Sequence, residues 1–191
     1  MTAPLLSASS CVGLGRRSLQ QLRLTLERDA GLQAASYLQE AGFAGGEELY
    51  AAYTQWLASA VGVSDPGSLD AARLSEVLSR FFSDMGWGAL TARPLGPAVL
   101  ALDSAEWAEA VDHGGAVYPS CHLSCGLLAD FMGRMSGGRM AVMEVECRSR
   151  GDARCRFLAG APETMGTLYE RMAQGMAYGE GLGLEQPQAA G

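Results

Sequence analysis

The sequence has no lysine: all 14 of its cations are arginine, set against 21 carboxylates for a net charge of −7. An acidic surface of this kind lacks the cationic stripe that a phosphate backbone requires, so nucleic-acid binding is excluded as the expected role. Docking on anionic lipid is excluded on the same ground. No apolar run reaches the roughly 18 residues of a membrane-spanning helix. The stretch from Met1 to Cys11 has no basic segment and only a short apolar run, so no secretory signal is read and a cytoplasmic protein is expected. Histidine is scarce, with only two in the chain. Phosphate-binding loops, Gly-x-Ser-x-Gly and His-Glu-x-x-His are missing. Gly13-Leu-Gly15 and Gly179-Glu-Gly-Leu-Gly183 lack both a third glycine and a βαβ setting. The absences favour a non-catalytic module.

What remains is enough to fold. Apolar residues are 48% of the 191 and charged residues 18%, which suits one domain with a real core. Residues 1–15 read as a flexible arm, 16–178 as a single domain and 179–191 as a frayed tail. A helical pattern begins at Ser18 and runs to Gly42, a candidate C-cap. After Gly45-Gly46 a second helix carries Leu49, Tyr53, Trp56, Leu57 and Ala60 and stops at Gly62. A third opens near Asp65-Pro66 or Ser68 and places Leu74, Val77, Leu78 and Phe81 on one face. Gly86 to Ala92 and Ala98 to Leu102 predict short strands, and Ala105 to Val111 a short helix with Trp107 as a core anchor. His113 reads as a loop residue. Cys121 to Met135 is apolar nearly all round and predicts a buried helix. Met140 to Cys147 and Cys155 to Leu158 predict a hairpin with Gly151-Asp152 at its turn, and Pro162 starts a last helix. The order predicts an α+β fold with an antiparallel sheet of about four strands.

Five cysteines stand out in a chain expected to sit in a reducing compartment, where clustering points to metal or catalysis rather than disulfides. Cys11 is isolated. Cys147 and Cys155 face each other at the two bases of the predicted hairpin. Cys121 starts the buried helix, with Cys125 one turn later on the same face. Four thiolates from a helix start and a hairpin base match the tetrahedral appetite of zinc. The same residues packed as small hydrophobes are the alternative. Spacing alone leaves both open.

The stretch from Trp107 to Phe157, with Pro119-Ser-Cys121-His122, Gly126, Glu144-Val-Glu-Cys147 and Gly151-Asp-Ala-Arg-Cys155-Arg-Phe157, resembles the 4-vinyl reductase domain family over about residues 107–160. Its spacings are also similar to those of the sensor domains of phenol- and xylene-responsive transcriptional activators. The resemblance implies a fold like the subunits of the transport protein particle, with helices packed on an antiparallel sheet. It implies a zinc ion held by Cys121, Glu144, Cys147 and Cys155, with Cys125 as the alternative fourth ligand. Strict alternation would put Glu144 and Cys147 on opposite faces, so a bulge near Val145-Glu146 is required. A closed four-ligand site predicts a structural zinc. Arg148, Arg150, Arg154 and Arg156 lie alongside and are expected to offset its negative charge. His122 points away from the metal by helical geometry.

Phe81, Phe82, Trp87, Trp107, Tyr118 and Phe131 are the candidate lining of an apolar pocket for a hydrophobic or aromatic ligand. The positions equivalent to the phenol sensors' upstream His and Trp are Ala72 and Leu100, so phenol specificity is not implied. A zinc-stabilised small-molecule sensing module, homodimeric through its N-terminal helices and acting through a signalling or biosynthetic partner, is the leading expectation. An accessory factor or enzyme of tetrapyrrole biosynthesis and a homodimeric assembly scaffold are the alternatives. A reductase would need a hydride source, and no nicotinamide or flavin motif is evident.

Overall fold

The computed structural model describes residues 11–111 and 115–184. Residues 1–10 of the expected arm, His113, and residues 185–191 of the expected tail lie outside the described residues.

The N-terminal part is α1 (Arg16–Ala30), α2 (Gln33–Ala44) and α3 (Gly46–Trp56), the last prolonged by a π turn, Leu57–Val61. The single helix expected from Ser18 to Gly42 is thus two. Gly31 takes φ 55°, which closes α1 and turns the chain before Gln33. Gly42 is no cap but a buried residue inside α2. Gly62, in the left-handed region, ends the π turn at the expected place. Asp65-Pro66 makes only a 3-10 turn. The next helix, α4 (Ala71–Asp84), is capped by Asp70, whose carboxylate accepts the Arg73 N–H, and it buries Val77, Leu78, Phe81 and Phe82.

Two strands follow, β1 (Thr91–Pro94) and β2 (Val99–Ser104). The first begins later than expected because Gly86 and Gly88 adopt positive φ. Ala105 to Val111 is not a helix. Its amides are spent elsewhere, Ala108 N–H on the Trp87 carbonyl and Val111 N–H on Ser149 Oγ. Trp107 is nonetheless the expected anchor, fully buried. Next come α5 (His122–Ser136), β3 (Ala141–Glu146) and β4 (Cys155–Gly160), then α6 (Pro162–Ala173) and the single turn α7 (Tyr178–Gly181).

The four strands form one antiparallel sheet in the order β1-β2-β4-β3. Its two central strands are covered on both faces, which explains why β4 is buried at every position. Leu102 and Phe157 face the main core, shared with α3, α4 and α5. Val99, Ala101 and Leu158 face a second core against α6. Tyr178, Leu182 and Leu184 pack on that second core, so the start of the expected tail is docked. The fold is therefore the expected α+β architecture, seven helices around a four-stranded antiparallel sheet among the described residues. No helix among these residues is long and apolar enough to cross a membrane.

Candidate metal centre

Four chain segments meet at one buried point. Cys121 is the residue before the first turn of α5. Glu144 lies in β3, Cys147 just beyond its end, and Cys155 opens β4. The ladder between β3 and β4 shifts register between Glu144 and Glu146, leaving Val145 as the extra residue. That bulge is where strict alternation demanded one, and it turns Glu144 and Cys147 to the same side. Beyond Cys147 the hairpin tip curls through Arg148–Arg150 and Gly151, at φ 103°, and Asp152 accepts the Cys147 N–H at 2.7 Å.

The ligand atoms of Cys121, Glu144, Cys147 and Cys155 all lie within 4.8 Å of one another, and all four residues are buried. Cys121 Sγ is 3.8 Å from Cys147 Sγ and 3.9 Å from Cys155 Sγ. Metal–sulfur bonds of about 2.3 Å at tetrahedral angles separate two sulfurs by about 3.8 Å. These gaps are far longer than a disulfide bond, and all five cysteines are free. One oxygen of Glu144 accepts the Cys121 N–H at 2.8 Å, while the other, Oε1, is buried without a hydrogen-bond partner. An orphaned carboxylate oxygen costs free energy unless a cation satisfies it. The donor set, three sulfurs and one oxygen, therefore fits a metal ion and could hold one. Cys125 is buried nearby but is not among the four that converge.

The titrations carry the same strain. Burial pushes Cys121 well above the usual thiol range. Cys147 is pulled the other way by hydrogen bonds from the Cys121 and Cys155 thiols, so the cluster gathers negative charge on one sulfur. Burial, then the charge of Cys147, pushes Glu144 up to about 8. Without a cation, the cluster cannot ionise fully.

The neighbouring arginines do not serve this charge as expected. Arg150 pairs with Asp152 and donates to the Val145 carbonyl. Arg154 pairs with Glu146. Arg156, almost fully buried, forms a two-pronged pair with Asp103 and also reaches Glu146 and Tyr178. Burial would raise the Asp103 carboxyl, but the Arg156 guanidinium holds it below the ordinary range.

Sequence reasoning missed Glu109. It is fully buried and its carboxylate accepts the N–H groups of Leu123 and Ser124 at 3.1 and 2.8 Å, at the open N-terminus of α5. The Ser124 hydroxyl also donates to it, and Trp107 Nε1 donates to Ser124 Oγ at 2.7 Å. Glu109 thereby fixes the turn that carries Cys121. A lone acidic residue in a stretch that reads as amphipathic offers no signal of this.

The aromatic candidates divide. Phe81, Phe82, Trp107 and Phe131 are fully buried and pack edge-on or tilted, with Phe82 to Phe131 at 5.5 Å and Phe82 to Trp107 at 5.6 Å. They satisfy one another and fill the interior instead of lining an open space. Trp87 borders a cavity beside α1, and exposed Tyr118 borders a second one between α5, β3 and α6. His122 also borders the second cavity and lies outside the four converging residues.

With this geometry in view, comparison with known proteins is informative. Residues 104–161 match the family model of the vinyl-4-reductase domain. No curated protein matches the sequence. Among solved structures, the phenol-responsive sensory domain of the transcription activator PoxR with phenol aligns at a TM-score of 0.58 and 16% identity, covering 93% of this chain and 85% of that one. Subunit 3 of a trafficking protein particle complex from Naegleria fowleri, covalently bound to palmitic acid, aligns at 0.57 and 13% identity, covering 76% and 91%. A vinyl-4-reductase family protein from Methanocaldococcus jannaschii gives 0.47 at 18% identity, covering 78% and 83%. The first two likenesses establish a common fold. The chain thus resembles the vinyl-4-reductase domain family across the span that gathers Cys121, Glu144, Cys147 and Cys155, and it shares its fold with a phenol-sensing domain and a trafficking-complex subunit.

Proposed function

We propose that this chain is a small-molecule-binding or sensing module whose vinyl-4-reductase-type segment is held by a structural zinc ion. The observation that carries the reading is the convergence of three cysteine sulfurs on the orphaned Oε1 of Glu144. Thiolate sulfur favours zinc among the common divalent ions, and four protein ligands leave no open position for a reacting water. Cys121, Glu144, Cys147 and Cys155 would hold the ion, which ties the hairpin to the first turn of α5. The small-molecule part draws support from the two fold relatives, one solved with phenol and the other bound to palmitic acid. Output passes through a partner protein, and a reducing, cytoplasmic setting suits four buried free thiols. Self-association is supported by Leu22, Leu32, Tyr37 and Phe43, large apolar side chains exposed along α1 and α2.

Native mass spectrometry of the purified chain tests the metal and the pairing together. One zinc per chain and a dimeric mass are expected. Cys147→Ser and Glu144→Gln should lower zinc retention, the first to near zero, while Cys125→Ser should leave it stoichiometric. Full zinc in the Cys147→Ser protein would overturn the site.

A further inference from the structure

The aromatic core is full, so a ligand must find room elsewhere. The described residues border two large cavities, of about 710 and 690 Å³. Both fall within the range of roughly 300–1,000 Å³ typical of small-molecule sites. The second is bordered by the ionisable groups His122, Glu144 and Arg150. The first differs in kind. It opens between the start of α1, the turn from α2 to α3 and the exposed side of α5, and its walls are Leu14, Leu19, Met85, Trp87, Leu123 and Leu127.

Its two charged neighbours are already engaged. Arg16 donates through Nε to the Gly86 carbonyl at 3.0 Å and through Nη1 to the Glu106 carbonyl at 3.4 Å. Asp84 accepts Trp56 Nε1–H at 3.0 Å. An ionic ligand would have to strip one of these groups from its partner at a cost of desolvation. An uncharged one need not. At the mouth, Val12 is 90% exposed and Leu14 60%, and both would lose water contact to an occupant.

We infer that this cavity binds an uncharged, predominantly apolar molecule of one or two aromatic rings, packed against the Trp87 indole. The inference deepens the binding-module reading by naming the place and the charge of the ligand. It does not depend on the metal, since none of the four converging residues borders the cavity.

The probe pair N-phenyl-1-naphthylamine and 8-anilino-1-naphthalenesulfonate shares one ring system and differs by a sulfonate. The full-length, metal-loaded protein is titrated with each, reading probe emission excited through tryptophan. The neutral probe should bind saturably at one site per chain, and the sulfonate at least tenfold more weakly. Trp87→Phe should cut the tryptophan-excited signal while directly excited binding remains. Ala41 is exposed on α2 and borders the same cavity, so Ala41→Trp fills it without touching the core. That variant should weaken the neutral probe at least tenfold at unchanged zinc content and melting. Equal affinity for the two probes, no saturable binding, or an Ala41→Trp protein that binds as the parent does would each overturn the assignment. Zinc stoichiometry, measured on the same samples, fails or holds independently of these outcomes.

Discussion

At the scale of a residue, Glu109 shows how a charge can be kept in an apolar interior. Its donors come from the first turn of α5, and the Arg23 guanidinium lies close enough to act on it by charge. Burial still dominates over those donors and pushes the carboxyl up to about 7. In the unfolded chain the same group titrates near 4.3, roughly its ordinary value. Between those two values the folded chain keeps a proton that the unfolded chain has released. Its contribution is therefore fully present at acidic pH and is lost as pH rises through 7. The shift corresponds to something on the order of 3 kcal/mol. Urea unfolding at pH 5 and pH 8 of the parent and of Glu109→Gln, both zinc-saturated, isolates this group. From the lower to the higher pH the parent should lose about 2–3 kcal/mol relative to the variant. An equal difference at both pH values would show that burial does not govern Glu109. The cysteines were legible in the sequence because so few side chains share their chemistry. Glu109 was not, because a carboxylate reads as solvated until the neighbouring helix end is in place.

At the scale of an element, the crossing of α2 and α5 is built on two glycines. A Cβ on Gly126 would collide with the Gln39 backbone carbonyl, and one on Gly42 with the Leu123 carbonyl. Neither obstacle is a flexible side chain, so the helices would have to part. Gly166, within α6, would have nothing within 4 Å of an added methyl group and is held only at an entropic cost. Gly126→Ala should therefore destabilise by several kcal/mol despite alanine's better helix propensity, while Gly166→Ala should stabilise by about 0.5–1 kcal/mol. Urea midpoints of the two variants decide it, and a neutral Gly126→Ala would mean that the helices are free to separate. Elements with strong local punctuation were legible: Gly62 and Gly137 close helices where expected, and the hairpin around Gly151 forms. Two readings failed for opposite reasons. The Ser18–Gly42 helix hid its break because Gly31 sits within a continuous apolar periodicity. Ala105 to Val111 had helical periodicity, but its amides found partners in distant segments.

At the scale of the whole molecule, the two cores and the candidate metal centre support different parts of the chain. The aromatic cluster and the glycine crossing join α2, α3, α4 and α5 without help from the hairpin. The tip beyond Glu144 is held by local bonds such as that of Asp152 to Cys147, and by the four converging ligands. Taking the ion away should therefore act unevenly. A ligand bound only by the folded chain at a thousandfold excess over its dissociation constant stabilises by about 4 kcal/mol, and chelation removes that contribution. Four buried donors would then face one another uncompensated, with Glu144 and the thiols forced to share protons. Hydrogen exchange of the chelated protein should rise most in peptides covering 119–125 and 141–158, where the four ligands lie, and least in 72–84 of α4. Far-ultraviolet circular dichroism should keep most of its helical signal. Re-addition of zinc should restore protection, whereas magnesium, which favours oxygen donors, should not. If chelation instead raised exchange evenly along the chain, or not at all, the clasp would not be the local device that its geometry implies.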